Sequence, residues 1–238
     1  MTVSSFFALG ALAFLAAAWM ATRRAGAAGL AARQTAVLGA ATLLAMTIGA
    51  RVGYLVLYAG YYRRHPEGIL HLSTGGFTLI GGLLGALGVV SFLLRYYRKP
   101  VFPTLDRMIP PLVLGQLIAR IGCFLQGCCY GRRTSLPWGV VYPTETVHRH
   151  PTQLYEAAAL LLLLFFLLRI ERSRRWAGTN FLWYGLLYSS YRFAADFLRA
   201  DSAPLAAGLK LFQWIALPLA IFFGLFLVRR VRRCTPSS

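Results

Sequence analysis

Acidic side chains are what this chain has least of: seven aspartates and glutamates stand against 25 lysines and arginines, a net charge of +18. So basic a chain invites a nucleic-acid partner, and the placement of the charge excludes one. The arginines fall in small clusters between apolar runs, not along one soluble face, which is the pattern membrane topology produces. Charge of either sign is scarce as well, at 13% of residues, while 58% are hydrophobic and mean hydropathy is +0.59. A soluble domain of this length would need far more polar surface, so that class is excluded. No low-complexity tract, internal repeat or separate soluble domain interrupts the pattern. The leader Met1 to Ser5 lacks positive charge and the arginines follow the first apolar run. That run is therefore expected to be a retained helix and not a cleaved signal peptide. Cysteine is limited to Cys123, Cys128, Cys129 and Cys234. Their spacing is not the Cys-x2-Cys of zinc sites and no histidine pair accompanies them, so no metal and no cofactor are expected. Two readings of the first three stay open: small side chains filling tight helix contacts, or a disulfide if they face an oxidising compartment.

What is present is a succession of apolar stretches. With roughly 20 residues needed per crossing, the expected fold is an all-α integral membrane protein of about seven transmembrane helices. The stretches are 3–20, 36–59, 76–94, 109–127, 153–169, 179–198 and 209–228. The whole chain, 1–238, reads as one polytopic membrane domain. Within it, 128–152 is long enough for a small extracytoplasmic lobe, with a strand or two around Trp138 to Tyr142. Fifteen basic residues lie in the loops on one side, among them Arg23, Arg98, Arg172, Arg174, Arg175 and Arg229. Seven lie on the other, among them Arg63, Arg132, Arg149, Arg199 and Lys210. The positive-inside rule then predicts an outside N-terminus and a cytoplasmic C-terminus.

Three arginines, Arg51, Arg120 and Arg192, fall inside the stretches themselves. A charge at the bilayer centre costs roughly 2.5–3.5 kcal/mol on the more lenient insertion scales. Each is therefore expected to face a partner, a wet cavity or an anionic ligand. Arg51 either snorkels or pairs with Glu156. Arg192 shares a helical face with Asp196 and Arg199, so a plain ion pair with Asp196 competes with ligand binding. For Arg120 the competing partner is Glu156. Gly122, Gly127 and Gly131, with Gly81, Gly82 and Gly85, would let helices or lipid approach closely.

Around these arginines run RIGCFLQGCCYG (120–131), PWG (137–139) and HPTQLYEA (150–157). With GARVGYLVLY at 49–58, GGFTLIGGLLG at 75–85 and YSSYRFAADFLRAD at 188–201, they resemble, in order and spacing, the bacterial prolipoprotein diacylglyceryl transferases. The resemblance covers most of the chain, and HPTQLYEA is its most specific part. It implies transfer of diacylglycerol from phosphatidylglycerol to the lipobox cysteine of a prolipoprotein signal peptide, in the bacterial inner membrane, with release of glycerol phosphate. It places Arg120 and Arg192 in the catalytic role. Arg120, Cys123, Gln126, Gly131, Gly81, Gly82 and Arg199 would bind substrate, while Asp196, Glu156, His150 and Tyr155 would orient the site. The sequence departs from the family at Ile80, where a histidine precedes the paired glycines, at Cys123, where asparagine is usual, and at Cys128, where glutamate is usual. The aromatic-glycine pair of the first span is not recognisable. Isoleucine cannot accept a proton; His71, or a phosphate oxygen, is the substitute acceptor. Transfer to a different acceptor, or lipid binding without turnover, are the alternatives these departures open.

Overall fold

Long apolar runs in a bilayer have no water to satisfy their peptide groups, so they close their hydrogen bonds internally as helices. The computed structural model shows this outcome over the residues it describes: 3–70, 76, 78–143, 145–172, 176–200 and 204–234. His71, Arg174, Arg175 and Asp201, named above, lie outside them. The helices are α1 (Val3–Ala25), α2 (Ala32–Leu57), the single turn α3 (Ala59–Tyr62), α4 (Leu79–Tyr96), α5 (Val101–Gln126), α6 (Thr152–Glu171), α7 (Thr179–Ala195) and α8 (Leu211–Cys234). A helix lies in each stretch expected to be apolar. Among the described residues four helices are long and apolar enough to cross a membrane: Ala32–Leu57, Val101–Gln126, Thr152–Glu171 and Leu211–Arg232. Ile80–Tyr96 is apolar but shorter.

The chain divides into two compact units, Thr22–Thr104, and Met1–Ala21 with Leu105–Ser238. In the first, α2 and α4 touch backbone to backbone. A Cβ on Gly81 would collide with the Gly49 carbonyl oxygen and stand 3.0 Å from the Gly53 Cα; one on Gly82 would lie 3.1 Å from the Met46 carbonyl. Close packing alone therefore requires glycine at 81 and leaves little room for a side chain at 82. Thr78 fastens the start of α4 to α2, its N–H and hydroxyl both donating to the Ala50 carbonyl at 2.9 and 3.2 Å. Arg51 is buried in this unit. Its guanidinium donates to the carbonyls of Gly68, Ile69 and Gly76 at 3.1, 2.9 and 3.2 Å and lies over the Tyr62 ring. The charge is spent on holding the α3–α4 connection.

In the second unit Ile109 and Val113 of α5 pack against Leu160, Leu163 and Leu167 of α6. α5 starts at Val101, ahead of the expected 109, and runs through Pro110 and Pro111. Proline has no N–H for the carbonyl four residues back, here Asp106, and ordinarily breaks a helix. Asn180 replaces that donor, its Nδ2 reaching the Asp106 carbonyl at 3.0 Å. The Asp106 carboxylate in turn caps α7, accepting from Gly178 N–H at 2.7 Å and Phe181 N–H at 3.1 Å, which suits a helix N-terminus.

The strand expected around Trp138 to Tyr142 reduces to Val140, in an isolated bridge with Arg149. Prolines 137, 143 and 151 interrupt the segment, and its donors go to scattered partners: Gly131 to His150, Arg132 to Leu198, Thr134 to His148. Paired strands appear instead between α7 and α8, as β1 (Pro204–Ala206) antiparallel to β2 (Leu209–Lys210). The eighth helix accordingly begins at Leu211 and not at 209.

Candidate functional site

The site grows from the first turns of α6. Thr152, Gln153 and Glu156 are buried with Leu160, Leu163 and Leu167, so HPTQLYEA puts its polar members on the inward stripe. Thr152 Oγ1 donates to the Cys129 carbonyl at 2.8 Å and Gln153 Nε2 to the Cys128 carbonyl at 2.5 Å. Tyr142 completes Gln153, donating to its Oε1 at 3.0 Å. One turn on, Glu156 receives Arg120 Nε from α5 at 2.9 Å, Tyr188 Oη from α7 at 2.9 Å and Arg192 Nη1 from α7 at 3.5 Å. Arg192 Nη2 also meets Asp196 at 2.9 Å, and its guanidinium lies over the Phe212 ring.

Both arginines singled out in the sequence thus converge on one carboxylate. The ion pairs weighed there, Arg120 with Glu156 and Arg192 with Asp196, are both formed. Glu156 and Asp196 are almost sealed, at 2% and 1% side-chain exposure, whereas Arg120 keeps 25% and Arg192 15%. Arg120 meets Glu156 through Nε, the side of its fork, and so retains accessible surface for another acceptor. α6 and α7 also line a half-open groove of about 300 Å³, bordered by Ala159, Leu162, Phe166, Leu187, Tyr188 and Tyr191. Tyr188, whose hydroxyl serves Glu156, links groove and charges. Gln153 lies within HPTQLYEA and Tyr188 opens YSSYRFAADFLRAD, but neither is given a role by those motifs. The signal was present in the spacing of Tyr184, Tyr188, Arg192 and Asp196, four residues apart on one helical face.

The remaining expected residues surround this centre. Cys123 lies one turn beyond Arg120 on α5, beside Cys128 and Cys129. Gln126 is exposed on the last turn of α5. Gly131 pairs with Arg199 in an isolated bridge, and a Cβ there would lie 2.7 Å from both the His150 Cβ and the Leu198 carbonyl. Arg199 is buried, its carbonyl accepting from Lys210 Nζ at 2.6 Å. His150 and Tyr155 hold each other, Nδ1 to Oη at 3.2 Å, and Trp138 Nε1 donates to the same hydroxyl at 2.9 Å. Outside the helices, Glu145 accepts from Tyr130 and Arg149, which hold its carboxyl below the usual carboxylate range. Gly81 and Gly82 belong to the other unit.

The family profile described as "Prolipoprotein diacylglyceryl transferase" matches residues 1–229. A phosphatidylglycerol–prolipoprotein diacylglyceryl transferase from Geobacter sulfurreducens is 37% identical over 200 residues, 82% of this chain and 76% of that protein. Proteins with the same name from Bordetella parapertussis and Polynucleobacter asymbioticus are 35% and 34% identical, over 76% and 80% of this chain and 71% and 75% of theirs. With colinear motifs, likeness along most of its length and a pair of helix-borne arginines gathered on one carboxylate, the chain belongs to the prolipoprotein diacylglyceryl transferase family.

Proposed function

We propose that this protein transfers the diacylglyceryl group of phosphatidylglycerol to the lipobox cysteine thiol of prolipoproteins. The observation that carries this reading is the convergence of Arg120 and Arg192 on Glu156 with Arg120 still partly open. The names of the relatives supply the two substrates. In the reaction the thiol sulfur bonds to the glycerol carbon bearing the phosphate ester. The C–O bond to phosphate breaks, its electron pair leaves with the phosphate oxygen, and glycerol phosphate departs. Positive donors held in place where that charge develops lower the barrier most in a site poor in water. Arg120 and Arg192 take that role, Glu156 and Asp196 fix their direction, and the groove between α6 and α7 takes an acyl chain. Because Ile80 has no proton acceptor, the thiol proton passes to a phosphate oxygen.

The chain crosses the inner membrane seven times in this reading, α1, α2, α4, α5, α6, α7 and α8 each spanning. The C-terminus lies in the cytoplasm and 128–152 faces outside, where a lipobox emerges. A second reading, transfer to another acceptor, draws on Ile80, Cys123 and Cys128 in place of the family's usual residues.

Expression in cells depleted of their own transferase tests the proposal. The intact chain restores growth and lipoprotein labelling, and Arg120→Ala abolishes both. An intact, well-expressed chain that does not rescue overturns it. Consumption of phosphatidylglycerol without labelling of a lipobox peptide would select the second reading.

A further inference from the structure

Cys123, Cys128 and Cys129 do not read as a metal motif along the sequence, and the fold gathers them nonetheless. The end of α5 explains how. Gly127 takes the left-handed conformation at φ 73°, its N–H returns to the Phe124 carbonyl at 3.0 Å, and the Cys128 N–H returns to the Cys123 carbonyl at 3.1 Å. This is a Schellman ending, the geometry in which the side chains at the positions of Cys123 and Cys128 meet. The Cys128 thiol also donates to the Cys123 carbonyl at 3.6 Å. Cys129 is then itself left-handed, at φ 64°, a conformation uncommon for any residue with a Cβ. The strained turn aims its sulfur back at the other two. All three sulfurs lie within 4.8 Å of one another, each partly buried, and among the described residues no fourth histidine, cysteine or carboxylate joins them.

We propose that these three sulfurs form a three-coordinate site for a soft metal ion, copper(I). Thiolate sulfur selects soft ions, and zinc in structural sites almost always takes four ligands. A disulfide would use only two of the three gathered sulfurs. The ion arrives as copper(I), so nothing is oxidised or reduced: three S–H protons are released to solvent and three Cu–S bonds form. The Arg199 guanidinium lies within hydrogen-bonding reach of the Cys129 sulfur. Arg199 offsets part of the negative charge of the loaded site. The inference is independent of the transfer reaction, because its readout is binding.

The test uses the full chain in detergent micelles, anaerobic and reduced, competing for copper(I) against a chromophoric chelator. One equivalent is retained, and X-ray absorption shows three sulfur neighbours. Cys123→Ser, Cys128→Ser and Cys129→Ser each abolish retention while circular dichroism keeps the helical signal. Cys234→Ser binds as the unmodified chain does, and Arg199→Gln weakens binding by about 10–100-fold, as loss of a supporting partner does. Three outcomes overturn the proposal: no more copper in the unmodified chain than in the triple serine variant; zinc(II) held more tightly than copper(I); or a disulfide between two of the three cysteines in protein isolated without reductant.

Discussion

At the scale of single residues, Glu156 organises the site because it is a sealed carboxylate serving three donors. Removing one member of a buried ion pair leaves the other charge uncompensated and costs about 3–5 kcal/mol. Glu156→Ala is expected to lower unfolding stability in detergent by about that amount. Arg120→Ala costs less on its own, since Arg192 still meets the carboxylate. The double variant costs less than the sum of the two, because Arg120 is no longer stranded. Denaturant titration of the four proteins checks this, and strict additivity would contradict the shared ion pair. The bond from Arg192 to Asp196 was legible in the sequence, four residues apart on one helix. The bond from Arg120 to Glu156 was only one of the possibilities, because no local spacing says which faces of α5 and α6 meet.

Among the elements, α5 shows how a distant side chain overrides local preference. Paired prolines argue for a helix end, and the sequence reading started the span at 109, next to them. The helix runs through because Asn180 donates to the carbonyl that Pro110 leaves without its partner. A buried carbonyl deprived of its donor costs about 1–3 kcal/mol, which is the loss expected for Asn180→Ala. Pro110→Ala returns a backbone N–H to Asp106, so in that background Asn180→Ala should cost clearly less. Thermal unfolding of both pairs measures the difference, and an equal loss in both backgrounds would refute the substitution of one donor for the other. Gly127 at the far end of α5 was readable as a small residue. Its function as the terminator that brings Cys123 to Cys128 needed backbone angles.

For the whole molecule, the asymmetry of basic loops predicts orientation. A reporter fused after α8 should be active only in the cytoplasm, and one inserted near residue 136 only outside. Paired cytoplasmic and external reporters decide this, and the opposite pattern would invert the expected topology. This charge asymmetry, like the approximate position of the helices, is a sum over many residues, so it can be read without knowledge of contacts.

Composition and apolar run length by themselves determined that this is a helical membrane protein, because backbone groups deprived of water leave few alternatives to a helix. The motifs determined its kinship. Tertiary structure alone decided that Arg120 and Arg192 share Glu156, that Arg51 is spent on backbone carbonyls, and that three cysteines face one another. Those are pairings across helices, and which surfaces meet depends on packing and on backbone turns that no local pattern of residues encodes.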